Sequence, residues 1–307
     1  MRTIVGITGT TSVGKSEVAV KLAKMLQSEI ISADSMQIYK GMDIGTAKIT
    51  ADEMQGIAHH MIDIVEPNCN YSSFLYQRDA SAIIDRLNCL PIVVGGTGFY
   101  FDSLLYPPEF GVSDESRRLE LQQILREEGL QVLQELLKKL DVDTYAQIDL
   151  NNPKRVLRAI EIAETGSKMA HGVGKTQPKY NLLLFVLQRD RNSLYQQIDK
   201  RVDRMFEKGL VAEVRALTAK YGFIDTSAFS AIGYKEVIDY LRGKCSKEEA
   251  KAKIKINTRH YAKRQITYFK KMNVTEFISV DDDMSTDAVA EHIYNRLTSS
   301  ISKNTIV

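Results

Sequence analysis

Eight residues near the start of the chain have the types and spacing of a phosphate-binding loop. The run Gly9-Thr10-Thr11-Ser12-Val13-Gly14-Lys15-Ser16 fits the pattern G-x-x-x-x-G-K-[ST] without a gap. Backbone N–H groups of such a loop and the positive end of the following helix bind a phosphate group, and the lysine adds a mobile charge. The hydroxyl of Ser16 can reach a magnesium ion. These residues therefore predict a phosphate or diphosphate site that uses Mg²⁺.

Two further segments carry polar residues at points where a strand is expected to end. Asp34-Ser35-Met36-Gln37 follows an apolar stretch at 29–33, and Gly95-Gly96-Thr97-Gly98 follows another at 90–94. Ligands of open α/β sheets bind at the carboxyl ends of the strands, so these segments should lie beside the loop. Asp34 is then a candidate general base. The glycine turn has a second interpretation, a tight strand-to-helix connection without a ligand.

The elements that must position these residues indicate an α/β fold. Residues 3–8 form an apolar stretch before the loop, and Val18, Leu22, Met25 and Leu26 recur at helical spacing after it. Together with further apolar stretches at 181–187 and 276–280, this predicts a P-loop NTPase-like parallel sheet with helices on both faces. Four successive helices without a strand, between residues 114 and 165, predict an all-helical insertion. The expected domains are 1–111 with 180–307, and 112–179.

Basic residues cluster late in the chain. Nine Lys or Arg stand against two acids between Lys247 and Lys271. Lys251, Lys255, Arg259 and Lys263 are four residues apart, which predicts a basic stripe for nucleic acid or merely a solvated helix face. Arg201 is placed either to present its guanidinium at the ligand end of the sheet or to pair with Asp199 or Asp203. His59 and His60 are more typical of a polar wall or a structural pair than of metal ligands.

Composition limits the class of protein. A chain of 307 residues with 44% hydrophobic residues can build a substantial core. Its three cysteines are far apart, which indicates neither a zinc site nor a disulfide framework. The apolar runs are too short to span a membrane. We therefore expect a monomeric cytoplasmic protein with no targeting or membrane segment.

The motifs together resemble those of bacterial tRNA dimethylallyltransferases, also called tRNA isopentenyltransferases. The resemblance runs nearly end to end. Besides the phosphate-binding loop, it rests on the segments Ile31–Tyr39, Ile44–Lys48, His59–Asp63, Val94–Gly98, Ile232–Glu236 and Ala262–Thr267. The zinc finger of eukaryotic relatives is absent, which agrees with the bacterial type.

The resemblance implies transfer of a dimethylallyl group from dimethylallyl diphosphate to the exocyclic amine of the adenosine 3′ of the tRNA anticodon. The loop would then hold diphosphate rather than ATP. Lys15, Thr97, Arg201 and Mg²⁺ on Ser16 would stabilise charge on the leaving group. Asp34 would accept the proton that the amine must lose.

The resemblance also implies which residues contact the tRNA anticodon stem-loop. They are Asp34, Ser35, Met36, Gln37, Thr97, Arg118, Lys154, Arg155, Val156, Leu157, Arg158, Lys263, Arg264, Gln265 and Tyr268. Three positions depart from the usual family pattern. Thr10 stands in place of proline, Lys154 in place of glutamine and Tyr268 in place of tryptophan, and none of these replaces a proposed catalytic group.

Two other functions share some of these features. An ATP-dependent small-molecule kinase would have the same loop and magnesium site, but its arginine-rich phosphate lid is not evident in the sequence. A non-catalytic RNA-binding nucleotide switch would explain the loop and the basic residues. It would leave Asp34 without a task.

Overall fold

A computed structural model of the chain describes residues 1–106, 115–165, 177–280 and 284–304. Six strands form one parallel sheet in the order β3-β2-β4-β1-β5-β6. Their bounds are β1 Thr3–Gly9, β2 Ile30–Ser32, β3 His59–His60, β4 Ile92–Val94, β5 Asn181–Gln188 and β6 Glu276–Ser279. The sequence prediction of an α/β fold built on a parallel sheet is confirmed.

Helices of the described residues connect these strands. In the first part of the chain they are α1 Lys15–Leu26, α2 Ala51–Met54, α3 Ser73–Arg86, α4 Gly98–Leu105, α5 Glu115–Glu127, α6 Leu130–Leu140, α7 Val142–Gln147 and α8 Pro153–Glu164. After β5 they are α9 Arg191–Glu207, α10 Leu210–Tyr221, α11 Tyr234–Leu241, α12 Lys247–Phe269 and α13 Thr286–Asn304. None of the helices within the described ranges is both long and apolar enough to cross a membrane.

Strand β1 lies between β4 and β5 in the sheet, and its side chains are buried on both faces. Val5 and Ile7 pack in one core with residues of α1 and α13. Gly6 points to the opposite face, where a Cβ atom would press against Leu184 of β5 and Phe101 of α4. Side chains alternate between the two faces of a strand, so this arrangement requires a helical layer on each side of the sheet.

The carboxyl end of β1 turns sharply into the phosphate-binding loop. Gly9 pairs with Leu187 of β5 and has a φ of 141°. A Cβ atom at this position would overlap the Leu187 carbonyl oxygen. Only glycine combines this backbone angle with so close an approach. The motif glycine thus fixes where the loop leaves the sheet.

The chain divides into two compact units, Met1–Leu105 with Lys179–Val307, and Tyr106–Pro178. The second unit has its own apolar core, formed by residues of α5, α6 and α8 that include Leu121, Leu133, Leu137 and Ile160. Helix α8 begins after Asn152, whose side chain accepts a hydrogen bond from Arg155 N, and Pro153 occupies its first turn. The bounds of α5 to α8 agree closely with the four successive helices predicted between residues 114 and 165.

Candidate active site

The phosphate-binding loop joins β1 to α1 and is held in a left-handed turn. Ser12 has a φ of 65° and Gly14, which precedes the first residue of α1, has a φ of 93°. The hydroxyls of Thr10 and Ser12 are buried and have no hydrogen-bond partner within the described ranges. Buried polar groups normally have partners, so these hydroxyls indicate a place where a polar ligand completes the bonding.

Two cations and one carboxylate converge beside the loop. Lys15 Nζ donates to the Thr10 carbonyl at 2.7 Å. Burial and, to a smaller extent, the positive charge of Arg201 lower the pKa of Lys15 to about 8, while the negative charge of Asp34 opposes the shift. Burial also lowers the pKa of Arg201, and the charge of Asp34 again opposes this. An anionic ligand between Lys15 and Arg201 would compensate their repulsion.

Asp34 lies directly after β2, and backbone bonds orient its carboxylate. Its Oδ1 accepts from Met36 N at 2.9 Å and from Gln37 N at 3.4 Å. On the next strand exit, Thr97 Oγ1 accepts from Ser35 N at 3.1 Å, and Thr97 N donates to the Ala33 carbonyl at 3.1 Å. The exits of β2 and β4 are therefore linked, as expected for neighbouring parallel strands.

The segment between Ile38 and Lys48 is held in place at both ends. The buried ammonium of Lys48 donates to the Tyr39 carbonyl and to Asp43 at 2.7 Å each, and also to Asp63. The Glu213 carboxylate accepts three consecutive backbone N–H groups, from Asp43, Ile44 and Gly45 at 2.7–3.1 Å. These contacts position the Thr46 carbonyl, to which Arg201 donates at 3.3 Å.

Arg201 pairs with neither Asp199 nor Asp203, the two acidic partners considered from the sequence. Asp199 instead binds Arg259 at 2.6 Å, and Asp203 binds Lys251 and Lys255 at 2.8 Å each. Three residues of the expected basic stripe on α12, Lys251, Lys255 and Arg259, thus pair with acids of α9, and their contact with nucleic acid stays a prediction. Sequence periodicity identified the stripe but not the helix that packs on it.

Lys263 and Arg264 remain exposed farther along α12, as expected for a contact with RNA. Gln265 differs: it is only 5% exposed. Its amide bonds the backbone of both glycine turns, Thr11 N and Gly96 O, at 2.9 Å each. The expectation that its side chain contacts tRNA is corrected, because burial removes the amide from the surface. Tyr268 lies partly buried against Gly98 and donates to Asp102.

Tyr261 belongs to the site although it is not among the residues predicted from the sequence. Its hydroxyl donates to the Gly96 carbonyl at 3.4 Å. Burial raises its pKa to about 12, and the negative charge of Asp34 contributes. The seven-residue interval between Tyr261 and Tyr268 was the available signal, since it places both on one helix face.

The helical unit contains the remaining predicted RNA contacts. Lys154 and Arg155 are exposed at the start of α8, while Arg118 and Arg158 bind the buried carboxylate of Glu161, both at 2.9 Å. Leu157 is buried and Val156 is fully buried in the core of this unit. The expectation that these two side chains contact tRNA is corrected for the same reason as for Gln265.

The donor set fits a magnesium ion that is bound mostly through its substrate. Ser16 is exposed at the first turn of α1. No group of three or more His, Cys, Asp or Glu able to hold a metal occurs in the part of the chain that the structure describes. His59 and His60 bond the Ile57 carbonyl and Glu29 instead. Mg²⁺ typically keeps waters and binds one or two protein oxygens plus substrate phosphates, so Ser16 suits such an ion.

The fold and the site define a P-loop protein in which the carboxylate of Asp34 lies near the cations of the phosphate-binding loop. A family model described as IPP transferase matches residues 37–272, and one described as isopentenyl transferase matches residues 2–66.

Named relatives cover most of the chain. A tRNA dimethylallyltransferase from Exiguobacterium sp. is 46% identical over 87% of each chain, and one from Caldanaerobacter subterraneus is 44% identical over 96% of this chain and 97% of its own. A tRNA isopentenylpyrophosphate transferase structure from Bacillus halodurans shares 39% identity, covers 99% of this chain and 100% of its own, and has a TM-score of 0.73. A eukaryotic dimethylallyltransferase acting on tRNA has 28% identity, covers 99% of this chain and 80% of its own, and has a TM-score of 0.83. The chain belongs to the tRNA dimethylallyltransferase family.

Proposed function

We propose that this enzyme transfers the dimethylallyl group of dimethylallyl diphosphate to the N6 amine of the adenosine 3′ of the anticodon in tRNA. The observation that carries the proposal is the convergence of Asp34 with Lys15 and Arg201 beside the phosphate-binding loop. The two cations suit a departing diphosphate, and the carboxylate suits an amine that must lose a proton. In the reaction N6 bonds to C1 of the allyl group, the C1–O bond breaks, and diphosphate leaves.

The residues of the loop bind the leaving group. Charge accumulates on the diphosphate oxygens as the C1–O bond breaks, and preorganised donors stabilise that charge without having to reorganise. Backbone N–H groups of residues 9–16 other than that of Thr11, the buried hydroxyls of Thr10 and Ser12, and the cations Lys15 and Arg201 serve as these donors. Mg²⁺ held by Ser16 would add positive charge at the same oxygens.

Asp34 acts as the general base. The adenine amine is a poor nucleophile because its lone pair is delocalised into the ring, so proton removal must accompany attack. Since Oδ1 is occupied by the backbone of Met36 and Gln37, we assign Oδ2 as the proton acceptor. Thr97, bonded to Ser35, lies at the next strand exit and orients the adenine and the leaving group.

Residues of both units bind the tRNA anticodon stem-loop. In the core unit they are the half-buried Ser35, Met36 and Gln37 and the exposed Lys263 and Arg264. In the helical unit they are the exposed Lys154 and Arg155 and the half-buried Arg118 and Arg158, which also pair with Glu161. Phosphate contacts from Lys and Arg make RNA affinity depend on salt. We further propose a monomer acting in the cytoplasm, where cysteines such as Cys69, Cys89 and Cys245, which are free in the structure, stay reduced.

Nucleoside mass spectrometry of tRNA tests the proposal. Purified protein is incubated with unmodified tRNA, Mg²⁺ and either dimethylallyl diphosphate or ATP. We expect one five-carbon unit on a single adenosine, only with the allylic diphosphate. Substitution of that adenosine by guanosine should abolish incorporation. Phosphate transfer from labelled ATP to a small molecule, with no prenylated nucleoside, would establish the kinase instead.

A further inference from the structure

One face of α12 contacts the backbone of both glycine turns. Tyr261, Gln265 and Tyr268 are four and three residues apart, so they share a face of the helix. Tyr261 and Gln265 bond the Gly96 carbonyl, and Tyr268 lies where a Cβ atom on Gly98 would have to be. Lys263 is exposed on the opposite side of the same helix, and the exposed Arg264 lies beside this face, with its guanidinium 5.8 Å from the centre of the Tyr261 ring. A single helix therefore joins the surface proposed for RNA to the turns proposed for diphosphate and catalysis.

Gln265 is the residue that joins the two turns to each other. Its Oε1 accepts from Thr11 N in the phosphate-binding loop, and its Nε2 donates to Gly96 O in the turn after β4, both at 2.9 Å. One partner is a donor and the other an acceptor, so the orientation of the amide is unambiguous. An amide supplies both a donor and an acceptor without a charge.

The space between the turns is built around this amide. A Cβ atom on Gly96 would overlap Gln265 Nε2, so the absence of a side chain at residue 96 is what admits the bond. The same hypothetical atom would lie 3.9 Å from Gly9 O, which shows how closely the turns approach. Gln265 is 5% exposed, and a buried amide that loses its hydrogen-bond partners destabilises the folded state. Both bonds are therefore expected to persist in the folded enzyme.

We infer that Gln265 is a positioning residue that fixes the distance between the phosphate-binding loop and the Thr97 turn, and so aligns the allylic diphosphate with Asp34 and Thr97. The inference rests on the proposed transferase reaction. It also implies that Thr11 N–H bonds the protein itself rather than the diphosphate. A displacement of about 1 Å between reacting groups can cost on the order of 10²-fold in rate, so a lost bond between the turns should be measurable in turnover.

Two substitutions separate positioning from a direct contact with RNA. Gln265→Ala removes both bonds. Gln265→Glu keeps the acceptor for Thr11 N–H. Its ionised carboxylate, however, has no proton to donate to the Gly96 carbonyl and places a second acceptor against it. We expect each to lower kcat by on the order of 10- to 100-fold at pH 8 and to weaken pyrophosphate binding measured without tRNA. Affinity for tRNA should stay within about twofold of wild type. Gln77→Glu, which removes an amide donor to Ser81 in α3, is the matched control and should behave as wild type.

The pH dependence supplies a signature that a merely structural role would not produce. A buried carboxyl has a raised pKa, and once protonated it can donate to Gly96 O as the amide does. The Tyr261 hydroxyl, one helical turn away, stays neutral over this pH range because burial raises its pKa to about 12, with the negative charge of Asp34 contributing. The deficit of Gln265→Glu relative to wild type should therefore shrink as the pH falls from 8 to about 6, whereas that of Gln265→Ala should stay constant.

The outcomes are decisive. Folding of each variant is checked by circular dichroism and thermal unfolding. Loss of tRNA affinity with unchanged kcat at saturating tRNA would make Gln265 an RNA contact, and unchanged kinetics in both variants would also overturn the inference. An inactive wild-type enzyme would instead refute the proposed function, so the two failures are distinguishable.

Discussion

The carboxylate of Asp34 has one oxygen bonded to a backbone turn and the charges of Lys15 and Arg201 within electrostatic range. The turn holds the group in one orientation. A bound diphosphate would occupy the field of the two cations. A carboxylate so placed is ready to accept a proton without first moving.

We predict that Asp34→Asn lowers the single-turnover rate of prenyl transfer by about 10²–10⁴-fold, because the amide has similar shape but cannot accept the proton. Equilibrium binding of tRNA and of pyrophosphate should change little. Rapid-quench assays with preformed enzyme–tRNA complex measure the rate. Asp52→Asn, on the exposed helix α2, is the control and should retain wild-type turnover. An unchanged rate in Asp34→Asn would exclude Asp34 as the base.

Single elements show why some residues were predictable and others were not. Phosphate binding sets the spacing of glycine, lysine and serine in the loop at 9–16, so the position of this loop could be predicted from the sequence. Val156 and Ile160 are four residues apart and both buried on α8, and this burial overrides the RNA contact that the resemblance gave to Val156. Gln265 carried no local signal, because its partners are 254 and 169 residues away. Contacts that arise only when distant turns meet escape periodicity.

The pairing of α9 with α12 leads to a prediction about RNA binding. Asp203→Asn should release Lys251 and Lys255, raise non-specific RNA affinity and steepen the dependence of log K on log salt by about one unit. Filter binding at several salt concentrations with a non-substrate RNA measures this. Asp225→Asn changes the net charge equally at a residue that accepts a hydrogen bond from Ser230, and its slope should stay that of wild type.

The same variant has a pH-dependent effect on stability. Hydrogen bonds from Lys251 and then Lys255 hold the pKa of Asp203 below its usual range. A carboxyl group whose pKa is lower in the folded than in the unfolded protein stabilises the fold at pH values above its unfolded pKa. This contribution is lost as the pH falls. The difference in unfolding free energy between wild type and Asp203→Asn should therefore be present at pH 7 and shrink below pH ~4. A difference that grows on acidification would contradict the ion pairs.

The loop at 38–48 depends on an acceptor from another element. Glu213→Ala should leave the N–H groups of Asp43, Ile44 and Gly45 without their carboxylate and loosen the Thr46 carbonyl that Arg201 contacts. We expect faster hydrogen exchange at residues 43–46 and a raised KM for dimethylallyl diphosphate, with tRNA affinity retained. Glu291→Ala, exposed on α13, is the control. Unchanged exchange at these amides would show that Lys48 alone holds the loop.

At the scale of the whole molecule, the two compact units have separate cores, so damage to one should leave the other folded. Leu137 is fully buried in the helical unit, and Leu137→Ala should cost that unit about 2–5 kcal/mol. Because Arg118, Lys154 and Arg155 belong to this unit, tRNA affinity should fall, while the core unit keeps its pyrophosphate site. Calorimetry of unfolding and of pyrophosphate binding measures both effects.

Val142→Ala is the matched control for this experiment, since Val142 lies in the same unit but is 61% exposed and should lose little stability. A split thermal transition in Leu137→Ala, with the later part unchanged and shifted upward by pyrophosphate, would follow from independent cores. Loss of pyrophosphate binding together with tRNA binding would mean that folding of the phosphate-binding loop requires the helical unit. The anion site would then depend on the insertion, and not only on the sheet that positions its glycines.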